Sequence, residues 1–305
     1  MKCYLRDFII AGIRLVPMRD LVYQMRKLCR STREGSFATC KKREDVLMLA
    51  ANQLSGELGY IHMKVNSLKP KHVEALVNHW KSQDLSVATL KARLSFIRWW
   101  SKKINKPNVV ARSNEFYGIG KRTYVTDVSK AIDVSDEKIE EIQDRYVRTS
   151  VTLVRAFGLR KEEAIKIIPN IADRGDTLFL KASWCKGGRE RAIPILTEEQ
   201  RIVLDGAKDV AGLRSLIPQE LKYYQQRHRY EAITSAVGLK KLHGLRHRYA
   251  QRRYHELTGW ECPHQGGPKR NGLNSYEKKL DHEARMTISR ELGHNRIEVV
   301  AIYIG

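Results

Sequence analysis

The sequence predicts a mainly α protein with one small β-sheet, an all-helical domain leading a larger mixed α+β domain. Three observations predict it. Apolar residues recur at helical spacing through most of the chain. Short strand signals appear around Thr177–Lys181 and Arg191–Ile195. A stretch with Pro107, Gly118 and Gly120 and no sustained period separates the helical beginning from the mixed remainder. The 305 residues, 42% of them hydrophobic, suffice for two domains, each with its own core.

Residues 1–37 form a helical arm in this reading. Pro17 suits a first helical position, Leu21, Val22, Met25 and Leu28 share a face, and Gly35 is a stop. The helix either packs on its own domain or reaches out to a partner. Residues 38–110 hold three further helices. The first runs from about Lys41 to Leu58, with Val46, Leu49, Ala50 and Leu54 on one face. The second opens at Pro70 with Val73, Leu76, Val77 and Trp80 in one stripe. The third follows the N-cap Ser86 and buries Leu90, Leu94, Ile97 and Ile104; Trp80, Trp99 and Trp100 read as core. Residues 111–134 are an expected linker, extended along Thr123–Thr126. From 135 to 305 the pattern is mixed. Ser135 caps a helix carrying Ile139 and Ile142, and a second helix with Val151, Val154 and Phe157 ends at Gly158. The strand pair follows with Gly187-Gly188 between, then helices at Thr197–Lys208 and between Pro218 and Gly238.

Lys and Arg total 56 against 34 Asp and Glu, a net charge of +22. Such a surplus attracts polyanions, because each neutralised phosphate releases counterions. Nucleic acid is the expected partner. The basic residues are spread over many segments and no apolar run nears the roughly 18 to 20 residues of a membrane span, so a membrane is not expected. Lys91, Arg98, Lys102 and Lys103 crowd one helix and are candidate phosphate contacts. The apolar patch Phe8–Ile13 runs into Arg14 without a cleavage site, which argues against a signal peptide. Five cysteines without a CxxC pattern suit a reducing cytoplasm.

Four separated stretches carry chemistry. Phe157-Gly158-Leu159-Arg160 leads to Glu163. Lys186-Gly187-Gly188-Arg189-Glu190-Arg191-Ala192-Ile193-Pro194-Ile195 is a basic hairpin. His243 and Arg246 stand three apart, so one helix or turn aims both at one target. Leu292-Gly293-His294 is followed nine residues on by Tyr303. Opening a phosphodiester requires cations on the nonbridging oxygens, a nucleophile that loses a proton and a leaving oxygen that gains one. Guanidinium forks suit the first task, a tyrosine hydroxyl the second, imidazole and lysine the proton transfers.

In this order the stretches resemble the tyrosine recombinases, the phage integrase family. The resemblance covers about residues 135–305 by motif; residues 38–110 are compatible with the family's helical core-binding, SAM-like domain by architecture only. It implies that 135–305 is the catalytic domain. It implies Arg160 and Arg246 as phosphate clamps, Glu163 as the carboxylate that orients the arginines, and Lys186 as general acid. It further implies His243 as the acid–base residue, His294 as a donor to a nonbridging oxygen and Tyr303 as nucleophile; Arg189 replaces a usual lysine and remains a DNA-binding candidate, and His247 is left a packing role. The implied reaction proceeds through a 3′-phosphotyrosine without cofactor or metal. Its partners would be double-stranded DNA attachment sites, a homotetramer in the synaptic complex, and accessory DNA-bending or directionality proteins. A bacterial, nucleoid-associated cytoplasmic location goes with a phage or mobile-element integrase.

Phe157 stands where the family usually has Thr. The span from His247 to Leu292 is long, and its Cys262–Gly272 stretch is expected to be a basic surface loop lying on DNA. Cys262, His264 and His282 could ligate a metal, but their spacing matches no zinc pattern and no metal is expected. Only two residues follow Tyr303 here, where other members carry a tail that docks into a neighbouring protomer, so any cyclic exchange would use another element. Two other readings stay open: a type IB topoisomerase-like relaxing enzyme, and a non-catalytic DNA-binding protein on the same scaffold.

Overall fold

The computed structural model describes residues 20–294 and 296–305 in full, and 9–10 and 13–14 by backbone alone. Those four residues form an antiparallel pair, β1 (Ile9–Ile10) and β2 (Ile13–Arg14). Pro17 lies outside the described residues. The chain divides into two compact units, residues 1–123 and 124–305.

The first unit holds α1 (Asp20–Ser31), α2 (Phe37–Asn52), α3 (Pro70–Ser82) and α4 (Val87–Lys103). Capping chemistry sets their starts. Ser36 and Ser86 accept the amides of Thr39 and Thr89, each at 3.2 Å, and Pro70 opens α3 where a missing N–H costs nothing. α1 buries Leu21, Val22, Met25 and Cys29 and packs on α2, so this helix belongs to the domain core. α2, expected to continue to Leu58, gives way at Asn52 to a wider π turn over Gln53–Glu57. The turn points Gln53 inward, where its Oε1 accepts from the Trp80 indole at 2.8 Å. Trp100 is equally buried and donates to the Val65 carbonyl at 3.0 Å. A buried tryptophan with its N–H satisfied is core material.

Two of the four candidate phosphate contacts on α4 are engaged within this unit. Arg98 donates through Nε to the Ala111 carbonyl at 3.0 Å and through Nη2 to Asn114 Oδ1 at 2.9 Å. Its guanidinium therefore braces residues 111–114 and does not stand free for phosphate. Lys103 pairs with Glu34, which also accepts from the Trp99 indole. Lys102 is exposed and Lys91 half-buried. The expected linker 111–134 is largely absorbed by the two units: Tyr117 and Ile119 join the first core, and Val134 joins the second.

The second unit contains α5 (Asp136–Glu140), α6 (Arg145–Phe157), α7 (Lys161–Lys166), α8 (Pro169–Ala172), β3 (Thr177–Leu180) and β4 (Arg191–Pro194). It continues with α9 (Glu198–Ala211), α10 (Tyr223–Ala236), α11 (His243–Thr258), α12 (Ser275–Glu291) and α13 (Ala301–Ile304). The helix expected from Ser135 through Ile142 stops after five residues, and Asp144 caps α6 by accepting the Val147 amide at 2.9 Å. α6 is the hub, with α7, α9 and α11 around it and Val147, Val151 and Phe157 turned inward. β3 and β4 pair antiparallel with Leu178 opposite Ile193, which puts Leu178, Leu180 and Ile193 in the core. The expected surface loop after α11 is a built segment. Cys262 is fully buried, and short 3-10 turns occupy Pro263–Gln265 and Arg270–Gly272. Among the described residues no helix is long and apolar enough to cross a membrane.

Candidate active site

α6 ends on Gly158 at φ 61°, a left-handed conformation that an L side chain resists. A Cβ there would stand 2.6 Å from a ring carbon of Tyr249 on α11. The reversal points the Gly158 carbonyl at Arg246, which donates to it through Nη1 at 2.6 Å. It also buries Leu159 and sets Arg160 at the cap of α7. The glycine thus lets two arginines converge. Gly158→Ala is expected to cost about 2 kcal/mol through backbone strain and this clash. That predicts a midpoint several degrees lower in a thermal unfolding scan.

Glu163, one turn into α7, is fully buried. It accepts from the Arg160 amide and from Arg160 Nη1, both at 2.7 Å. Arg191, on β4, donates to it through Nη2 at 2.7 Å and Nη1 at 3.1 Å. Burial alone would raise this carboxyl. The hydrogen bonds and charge of Arg191, with the charges of Arg160 and Arg246, outweigh it and hold the group at about 2. Arg191 also donates to the Glu291 carbonyl at 2.7 Å, tying the sheet to the end of α12. Arg191 belongs to the basic hairpin 186–195, where nothing in the local pattern marks it as the partner of Glu163. Its position, pointing inward on a strand whose neighbours Ala192 and Pro194 are less buried, was the available signal.

α11 begins with His243 and carries Arg246 and His247 on its first turn. Gly244 is required there, since a Cβ would lie 2.6 Å from the Lys130 carbonyl. Arg246 has no exposed surface. Besides Gly158 it reaches the Leu292 carbonyl through Nη2, and both Nη2 and Nε approach the last two site residues: His294 Nε2 and the Tyr303 hydroxyl, each at 3.5 Å. The Tyr303 hydroxyl lies 3.1 Å from His294 Nε2. The His243 and His247 rings stand 6.3 and 4.6 Å from the tyrosine ring, centre to centre. α12 ends at Glu291, Gly293 turns at φ 65°, and α13 returns to set Tyr303 among these groups. Five of the six expected catalytic side chains, Arg160, His243, Arg246, His294 and Tyr303, therefore gather in one chain around Glu163.

Two family models match the chain, phage integrase N-terminal over residues 18–109 and integrase over residues 120–252. Together they span most of the sequence. The chain belongs to the phage integrase family of tyrosine recombinases. Solved structures of this class share its fold at low identity. A lambda integrase dimer bound to a COC' core site aligns over 93% of this chain and 76% of its own, with 15% identity and a TM-score of 0.57. The Tn1549 transposon integrase in complex with circular intermediate DNA aligns over 93% and 95%, with 14% identity and a TM-score of 0.53. A lambda integrase tetramer bound to a Holliday junction aligns over 90% and 73%, with 14% identity and a TM-score of 0.54. No curated protein sequence matches.

In this integrase the imidazoles are shaped by desolvation and by the arginines. Burial, then the charges of Arg246 and Arg160, push His294 down to about 4. Burial and the neighbouring His243 do the same to His247, also to about 4. His243 is lowered in the same sense by burial and by Arg246, although its side chain is the most open of the three. Neutral His294 can accept the phenol proton through Nε2, the contact seen at 3.1 Å. His247 is buried with its Nδ1 unpartnered among the described residues.

Lys186 and Arg189 are exposed on the connection between β3 and β4, and no hydrogen bond or ion pair among the described residues joins Lys186 to the cluster. The Gly188 amide closes a turn onto the Cys185 carbonyl at 3.2 Å, with Gly187 at φ 78° as the left-handed third residue such a turn demands. Cys262, weighed with His264 and His282 as a metal ligand, is buried in the hydrophobic core, and both His264 nitrogens face backbone carbonyls.

Proposed function

We propose that this protein is the integrase of a phage or mobile element, cutting and rejoining double-stranded DNA at attachment sites through a 3′-phosphotyrosine. The observation that carries this reading is the Tyr303 hydroxyl held 3.1 Å from His294 Nε2 and 3.5 Å from Arg246 Nε in one chain. Arg160 and Arg246 fork onto the scissile phosphate as charge builds on its oxygens. The Tyr303 oxygen attacks phosphorus, the bond to the 5′ oxygen breaks, and that oxygen takes a proton from Lys186. The phenol proton leaves through imidazole, His243 or His294. Reversal with the 5′ hydroxyl of a partner strand restores the backbone. One ester replaces another at each step, so the exchange balances without a nucleotide or a metal.

Two protomers on each duplex, four in the synaptic complex, suit a reaction that exchanges strands between two DNA sites. Exposed Lys102 and Arg189, with half-buried Lys91, are the remaining candidates for backbone contacts, and accessory DNA-bending or directionality proteins would set the outcome. A protein acting on bacterial chromosomal DNA would sit in the cytoplasm, with the nucleoid.

The test begins by sequencing junctions formed when the protein is expressed beside its own genetic neighbourhood, then building a nicked suicide substrate on that junction. A protein–DNA adduct stable to detergent supports the reading. Relaxation of arbitrary supercoiled plasmid without exchange between defined sites would point instead to a topoisomerase. Lys186→Ala is expected to slow cleavage by roughly 10² to 10⁴, the usual contribution of a positioned acid. A substrate with sulfur at the 5′ bridging position, which departs without a proton, should regain most of that loss. Equal losses on both substrates would remove Lys186 from the acid role.

A further inference from the structure

The segment expected to lie on DNA contains a histidine turned the other way. His264 sits in the 3-10 turn Pro263–Gln265, between buried Cys262 and a glycine pair. This turn is firmly built. The Gln265 and Gly267 amides both return to the Cys262 carbonyl, at 2.8 and 3.1 Å. A Cβ on Gly267 would overlap the Glu261 carbonyl oxygen at 1.6 Å, so only glycine permits this path. The turn packs against α13, the short helix that carries Tyr303.

Both His264 nitrogens face carbonyl oxygens: Nε2 lies 2.7 Å from that of Thr126, and Nδ1 3.2 Å from that of Tyr303 itself. A carbonyl only accepts. A neutral imidazole offers one N–H, so it satisfies one contact and sets lone pair against lone pair at the other; the imidazolium satisfies both. The Tyr303 carbonyl also accepts from Gln251 Nε2 at 3.0 Å, which fills its second lone pair. Two residues on, Arg285 donates to the Gly305 carbonyl at 3.2 Å.

We propose that His264 is a positioning residue for the nucleophile, its doubly protonated ring clamping the Tyr303 peptide to Thr126 and thereby setting where the phenol stands. This rests on the reading of Tyr303 as nucleophile. The clamp matters because α13 is a single turn of helix, too short to hold its own geometry. Gln251, Arg285 and the buried neighbours Val300 and Ile304 anchor it from α11, α12 and the core, and His264 adds a tie to Thr126. The charged and titratable groups around the ring are mixed in sign. His247 feels its charge from α11, and the cavity that His264 lines also holds Asp127, Lys269, Arg270, Arg285, Arg296 and Glu298.

Two readouts test this on the full chain. The first needs no DNA: hydrogen exchange of the 297–305 segment in wild type, His264→Ala and His264→Gln. Exchange there should quicken roughly tenfold in both variants, the effect of losing a charge-assisted hydrogen bond, with little change over α6 and α9. The second is the single-turnover rate of covalent adduct formation at saturating DNA, expected to drop about tenfold in both variants with DNA affinity unchanged. Unchanged exchange at 297–305, or an adduct rate unchanged in both variants, overturns the clamp. A wild-type protein that forms no adduct overturns the recombinase reading alone, since the exchange measurement still decides the clamp.

Discussion

Tyr303→Phe is expected to bind attachment-site DNA like the wild type and to form no covalent adduct with it. The ring is 5% exposed and packs against the His247 ring at 4.6 Å, and phenylalanine keeps both features. What disappears is one oxygen, with its contacts to His294 and Arg246. Stability should change by only about 1 kcal/mol, because a single hydrogen bond contributes little net. Activity should fall at least about 10³-fold, to background, because the other groups at the site are cations and imidazoles that cannot form the same stable ester. The measurement is a detergent-stable complex on a nicked substrate, followed by gel shift, with a binding isotherm run in parallel. An adduct that persists in the variant would sink the assignment. His294→Ala should lie between the two, slower but still able to form the adduct, since the hydroxyl keeps Arg246 nearby.

Much of this site was legible in the sequence, and the reasons are physical. Gly158, Gly187 and Gly293 sit beside functional residues because the chain must reverse there with positive φ. Such turns demand glycine and leave a recognisable mark. His243 and Arg246 share a helical turn, so their spacing is fixed by the helix itself. The helices of the first unit were legible for similar reasons, through Ser36, Ser86 and Pro70 at their starts. What could not be read was which cations look inward. Arg98 and Arg191 carry the same side chain in basic stretches, yet one braces Ala111 and Asn114 and the other clamps Glu163. Burial of a guanidinium depends on partners 16 and 28 residues away, which local pattern does not register. His264 was hidden for the same reason. Its partners, Thr126 and Tyr303, lie 138 and 39 positions distant.

Glu163→Gln is expected to be the most destabilising single change at the site. The carboxylate takes four hydrogen bonds from Arg160 and Arg191 and is the buried negative charge that faces them and Arg246. The amide keeps the shape but presents an NH₂ to guanidinium donors, and it leaves the arginines without their counter-charge. Removing one partner of a buried ion pair costs about 3 to 5 kcal/mol, which for a domain of this size is on the order of 10 °C in the unfolding midpoint. The pH dependence follows from the depressed carboxyl. Folded, the group sits at about 2 against an ordinary 4.5, so its contribution is complete above the ordinary value and is lost as pH falls towards 2. The gap in midpoint between wild type and variant should therefore be constant from neutral pH to about 5 and narrow steadily below it. A constant gap down to pH 2.5 would show that the loss comes from packing and not from charge. Phosphate or DNA supplies negative charge to the same arginines, so either should stabilise Glu163→Gln more than wild type. If the anion response is equal in the two proteins, the arginines that Glu163 holds are not the ones that receive the scissile phosphate.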